Sequence, residues 1–162
     1  MTDLSDDLRL VRKRIEEHGW VRGELIDFDY DEDDPEKVVA AGCCLTGAVG
    51  MVTETRFDSW VSGTRSSTAE TFPWSDRGKQ VLHTLATLCP PDLTDEVLDC
   101  DSDIENIIEI NDSRKDVSEI LGWIDFAISQ IKSATTPAIQ SPKVVQAQTE
   151  VKSAPKKKAV LA

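Results

Sequence analysis

Thiol catalysis needs a sulfur nucleophile, a base to take its proton, and a third group to hold the base in place. The chain carries all three types: Cys44, the imidazoles of His18 and His83, and the carboxamide of Asn111. Against this reading, free cysteine is among the most buried residue types, and a reactive thiol favours electropositive surroundings. Here 30 Asp plus Glu outnumber 18 Lys plus Arg. A small, packed thiol in a glycine-rich segment is therefore the expectation for Cys44. Asn111-Asp112 falls between two helical patterns, and its side chains read as caps for the backbone donors of the following helix. No residue is assigned a catalytic role.

A second candidate chemistry is cation binding. Asp27, Asp29, Asp31, Glu32, Asp33 and Asp34 alternate like the start of a calcium loop. Glu32, however, stands where that loop needs glycine, and Val38 where it needs its closing glutamate. A solvated acidic loop, suited to a basic partner, is the better reading. Cys43, Cys44, Cys89, Cys100 and the two histidines form no Cys-x-x-Cys or His-x-x-x-His pair, so no metal or cofactor is expected. Trp60, Phe72 and Trp74 are either an exposed anchor for a partner or a flap folded back over the core. The candidate binding or pocket residues are Trp20, Cys44, Trp60, Trp74, Asn111 and Asp112.

The elements that must position these residues read as mainly helical. Leu4, Leu8, Val11 and Ile15 predict an amphipathic helix over residues 5–18, with Ser5 able to cap it and Gly19 ending it. Residues 20–33 leave room for a short strand or an ordered loop. Asp34-Pro35 is a helix start, and Val38, Val39, Cys43, Leu45, Val49 and Val52 continue from it. Gly42, Gly47 and Gly50 in that run imply a helix packed closely against its neighbours, the centre of the fold. Residues 53–75 lack a sustained period and read as a long surface excursion. Ser75 caps a third helix carrying Val81, Leu82, Leu85, Leu88 and Cys89, ended by Pro90-Pro91. Ser102-Asp103-Ile104-Glu105 is a capping box that opens a short helix, which Asn111-Asp112-Ser113 breaks. Val117, Ile120, Leu121, Ile124, Ile128 and Ile131 make one stripe over residues 114–132. The fold class is a compact bundle of about five helices around a central Gly/Ala-rich helix, with a short strand or hairpin where residues 20–33 allow it.

At 162 residues the chain fits an acidic helical domain over residues 1–133 and a disordered basic tail over residues 134–162. The first part holds 13 Lys plus Arg against 29 Asp plus Glu, the second 5 against 1, so the net charges are near −16 and +4. A body this acidic repels nucleic-acid backbones and attracts basic surfaces, so direct nucleic-acid binding by the folded part is disfavoured. The lysines at 156, 157 and 158 give at most a weak, salt-sensitive attraction to anions. The polar start, the unpatterned cysteines and the lack of a long apolar run predict a bacterial cytoplasmic protein with free thiols and no membrane insertion.

Gly19-Trp20 with Gly23, Asp34-Pro35, Cys44-Leu45-Thr46-Gly47-Ala48 and Asn111-Asp112 occur in an order that resembles an uncharacterised domain-of-unknown-function family of actinobacteria and their phages. The resemblance spans residues 7–131. Its members commonly read Trp-Asn-Asp where this chain has Ile110-Asn111-Asp112, and usually lack a segment like residues 53–75. It implies a fold and a phage or prophage setting, and no activity. The expectation is a small acidic accessory protein that binds a host or phage macromolecule, with a protein of basic surface as partner. The alternatives are a thiol-dependent or small-molecule-processing enzyme centred on Cys44 and Asn111, and a minor virion or assembly component.

Overall fold

The computed structural model describes residues 3–30, 33–34, 38–64, 69–94 and 102–135. Along the chain these form α1 (Leu4–His18), β1 (Ile26–Tyr30), β2 (Val38–Cys43), α2 (Leu45–Thr53), α3 (Phe57–Thr64), α4 (Asp76–Thr87), α5 (Asp103–Ser113) and α6 (Val117–Thr135). Single 3-10 turns lie at Ala69–Thr71 and Pro91–Leu93. The fold is mainly helical with one antiparallel hairpin, as expected.

α2 is the hub: it packs against α1, α4 and α5, while α1 closes the bundle against α6. Leu45, Thr46, Gly47, Ala48, Val49 and Gly50 are all buried, so α2 has no solvent face over its first six residues. Leu8, Val11 and Ile15 of α1 meet this core, as do Val81, Leu82 and Leu85 of α4. Trp123 of α6 is fully buried, and its indole Nε1–H donates to the Leu85 carbonyl at 3.0 Å. That bond removes the cost of burying a polar N–H in an apolar layer.

The expected helix from Asp34-Pro35 is shorter than the sequence implied. Residues 38–43 are strand β2, paired with β1 from Ile26↔Cys43 to Tyr30↔Val38 with an irregularity between Asp27 and Phe28. Helix begins only at Leu45, with Cys44 as its N-cap. β-Branched Val38 and Val39 favour the pleated conformation, and an apolar run of this length has no period that separates strand from buried helix. Gly42 serves the strand: an added Cβ would lie 2.9 Å from Val21 Cγ1. Pro35 lies outside the described residues.

The described residues of 53–75 are likewise not a surface excursion. They contain α3, one of six described α-helices, and the aromatics turn inward. Phe57 is fully buried, Phe72 and Trp74 are 9% and 7% exposed, and Trp60 packs half-buried against them. Phe72 meets Phe57 edge-on at 4.8 Å between centroids and Trp60 at 4.9 Å. Trp74 Nε1–H donates to the Ala69 carbonyl at 2.7 Å, closing the flap over the core.

Helix ends differ from expectation in detail. α1 is capped by Asp3, whose Oδ1 accepts from Ser5 N–H at 3.4 Å and Oδ2 from Ser5 Oγ at 3.0 Å, rather than by Ser5. Gly19 ends it at φ +95°, a conformation that L side chains rarely adopt. Ser75 caps α4 as expected, accepting from Gly78 N–H at 3.1 Å. Ser102 opens α5 without a side-chain cap bond. α5 also runs through Asn111, Asp112 and Ser113 instead of breaking there. α6 extends to Thr135, so residues 134 and 135 belong to the helix. The remainder of the expected tail, residues 136–162, lies outside the described residues.

Candidate functional site

Four of the six candidate residues converge on one point. The loop after α1 carries Trp20 and Gly23, the start of α2 carries Cys44 and Leu45, and the last turn of α5 carries Asn111 and Asp112. Asn111 is 0% exposed, and its side chain joins all three segments. Its Oδ1 accepts from Trp20 Nε1–H at 2.7 Å and from Leu45 N–H at 3.0 Å. Its Nδ2 donates to the Val21 carbonyl at 3.2 Å and to Asp112 Oδ1 at 2.9 Å. A primary amide has two acceptor sites and two donors, and all four are used.

This arrangement corrects the expected role of Asn111. It does cap a helix, but that helix is α2, reached across 66 residues, not the following α6. α6 has a cap of its own: Asp116 Oδ1 accepts from Ser118 N–H at 2.7 Å, while Glu119 Oε2 accepts from Asp116 N–H at 3.4 Å. Asp112 Oδ1 accepts a further bond from Gly23 N–H at 2.9 Å and so ties the loop to α5. Arg22 completes the link, donating to the Arg114 carbonyl at 3.0 Å with its guanidinium 5.9 Å from the Trp20 ring centroid.

The backbone around Asn111 is equally committed. Cys43 N–H donates to the Gly19 carbonyl, Val21 N–H to the Cys43 carbonyl, and Cys44 N–H to the Leu25 carbonyl at 3.1 Å. Gly47 is the residue that lets α2 come this close: an added Cβ would fall inside the van der Waals envelope of the Leu25 carbonyl oxygen. The spacing in Cys-Leu-Thr-Gly-Ala thus follows from packing: Cys44 caps, and Gly47 clears the loop.

Cys44 is 3% exposed and its Sγ accepts from Gly47 N–H at 3.3 Å. Burial pushes this thiol up to about 12, with the charges of Cys43 and Asp112 adding to the rise and the Gly47 and Thr46 donors opposing it. Cys43 is pushed up to about 11 by burial, opposed by Arg14. Neither thiol is poised as a thiolate near neutral pH. The imidazoles are engaged or placed elsewhere: His83 Nδ1 lies 2.8 Å from Asp103 Oδ2 on the surface, and His18 is exposed in the last turn of α1.

Trp60 and Trp74 belong to the separate aromatic flap of α3 and the turn at Ala69–Thr71. Of the acidic run, Asp27, Asp29, Asp33 and Asp34 are exposed, while residues 31 and 32 lie outside the described residues. Among the described residues, no group of three His, Cys, Asp or Glu side chains could hold a metal ion. No helix among them is long and apolar enough to cross a membrane.

One feature escaped the sequence reading. Between the turn at Pro91–Leu93 and α6 lies an open cleft of about 400 Å³. Pro90, Leu93, Phe126, exposed Gly122 and the buried Trp123 line it, together with the carboxylates of Asp92 and Glu119. The available signal was Gly122, a glycine inside the most periodic helix of the chain.

A family model described as a family of unknown function, DUF6197, matches residues 1–130. Neither the curated proteins nor the solved structures include a match to the chain.

Proposed function

The chain belongs to the DUF6197 family, a family of unknown function, and from that premise we propose that it is a binding module for a macromolecule with a basic surface. The observation that carries this reading is the placement of the carboxylates. Asp27 and Asp29 point outward from β1, and exposed Asp33 and Asp34 follow at the hairpin's end. They sit on a body whose first 133 residues carry 29 Asp plus Glu against 13 Lys plus Arg. Ion pairs within the bundle join Asp7 with Arg77, Glu16 and Asp125 with Arg12, and Glu17 with Lys13.

Such a field accelerates encounter with a cationic partner and discourages contact with nucleic acid. The side chains that resemble chemistry, Cys44 and Asn111, are spent on the fold, which leaves the hairpin surface as the distinctive outward feature. The protein is read as a cytoplasmic accessory protein of phage or prophage origin, and its partner as a host or phage protein. Imitation of nucleic-acid charge toward a DNA-binding protein is the specific form this takes.

The test uses the tagged full chain in nuclease-treated actinobacterial lysate across a salt series, beside a variant with Asp27, Asp29, Asp33 and Asp34 each changed to Asn. One stoichiometric protein should be held at low salt, released as salt rises and by duplex DNA, and lost to the variant. Equal recovery by both proteins, or no partner for either, would overturn the reading.

A further inference from the structure

The cleft over α6 contains a glycine that the described fold does not use. Among the described glycines, Gly19 and Gly23 have positive φ, and a Cβ at Gly42, Gly47, Gly50 or Gly78 would crowd a neighbour. Gly122 has neither reason: an added Cβ there would meet nothing within 4 Å. A helix-interior glycine weakens its helix, so an exposed glycine in the lining of an open cleft fits a group that approaches the α6 backbone from outside.

We propose that the cleft is the docking groove for this chain's own residues 156–161, Lys-Lys-Lys-Ala-Val-Leu. Reach and charge select this occupant. The chain leaves α6 at Thr135, and Gly122 lies back along the same helix by about 20 Å at 1.5 Å per residue. Twenty residues, 136–155, separate the end of α6 from Lys156, and a chain of that length spans at most about 70 Å, enough to cover the distance.

The segment pairs three lysines with Val160 and Leu161, and the cleft pairs carboxylates with apolar walls. Val160 and Leu161 enter between Pro90, Leu93 and Phe126, while the lysines face Asp92, with Glu119, whose Oε2 already caps α6, beside it. Arg114 Nη1 lies 3.7 Å from Glu119 Oε1 and offsets part of the local charge. The acidic body therefore supplies the long-range attraction, and the apolar walls supply the place. The inference goes beyond the proposed function and does not require a partner.

The test is a comparison of backbone amide spectra of the ¹⁵N-labelled full chain, with a triple variant (Lys156→Glu, Lys157→Glu, Lys158→Glu) and with Leu161→Asp. Both variants leave the described residues intact, so folding is not at issue. At about 0.01 M salt, where charges interact over about 30 Å, each variant should move the amides of Leu93, Ser118, Gly122 and Phe126. The triple variant's effect should vanish near 1 M salt. The wild-type positions should not change on tenfold dilution.

Coincident spectra would overturn the proposal. A response to the triple variant without one to Leu161→Asp would reduce the contact to diffuse attraction and overturn the groove. Dilution-dependent positions would place the tail of a second copy in the cleft, against the intramolecular assignment.

Discussion

The junction at Asn111 and the cleft at Gly122 lie at different places on one bundle and use the same residue types to opposite ends. At the junction a glycine is indispensable because a carbonyl oxygen occupies the space its side chain would take, and a buried amide has no bonding capacity left. At the cleft a glycine faces open space. Residues whose types suggest chemistry can be wholly consumed by folding. Availability shows instead as a residue that folding does not need.

The largest effect that could break this contrast is at Gly47. Gly47→Ala drives a methyl group into the Leu25 backbone, where no flexible side chain can yield. The variant should lose at least about 3 kcal/mol or fail to fold, measured by urea unfolding, since overpacking costs of this kind reach the upper end of single-substitution effects. A variant of unchanged stability would mean that the close approach of α2 to the loop is not obligatory.

Asn111→Ala comes next. It strips the acceptor from Trp20 Nε1–H and Leu45 N–H and the donor from the Val21 carbonyl. Buried groups left without partners cost about 1–3 kcal/mol each, so a total loss of about 3 kcal/mol is expected after partial relaxation. Trp20→Phe removes one of these bonds and should cost about 1 kcal/mol. Because the two residues share a bond, the double variant should lose less than the sum of the singles. Strict additivity would show that the junction is a set of neighbours rather than one network.

How much of this was legible in the sequence follows from the range of the interactions. α1, α4, α5 and α6 were readable because an amphipathic stripe is a local property, and Ser75 and Gly19 mark their ends where expected. α3 had a signal, Phe57, Trp60 and Val61 at helical spacing, but eight residues are too few to stand out from a polar stretch. β2 has a helix-like pattern because an apolar run beside Gly42 does not reveal that a partner strand lies at β1. The junction was beyond reach: Trp20, Cys44, Asn111 and Asp112 could each be singled out, but Asn111 meets its partners across 66 and 91 residues. Capping logic found the right kind of role and assigned it to the wrong helix, because proximity in sequence was its only guide.

Alkaline pH gives a smaller effect that sharpens the same point. Cys43 and Cys44 are raised to about 11 and about 12 from an ordinary value of 9.0, so the folded chain retains thiol protons that the unfolded chain releases. Their stabilising contribution is complete below about pH 9 and declines as pH rises toward 12. At pH 10 the loss should be about 1 kcal/mol for each thiol, seen as a lower urea midpoint than at pH 8. Alkylation of Cys44 at pH 8 should be negligible in the native protein and rapid in urea. Native alkylation at the unfolded rate would return Cys44 to the list of reactive groups and end the claim that the junction is closed.

The smallest expected change carries the opposite sign. Gly122→Ala adds a methyl group where nothing lies within 4 Å and removes a helix-interior glycine. On those grounds it should stabilise the protein by up to about 1 kcal/mol, the reverse of Gly47→Ala. The background in which it is measured makes the result informative. If residues 156–161 rest on the α6 backbone, the methyl group displaces them, and the gain should be smaller in the wild-type chain than in the Lys156→Glu, Lys157→Glu, Lys158→Glu chain. Equal gains in both would leave the cleft open but unclaimed by the tail. A loss in both would show that Gly122 has a neighbour within the fold after all, and the difference between the two glycines would disappear.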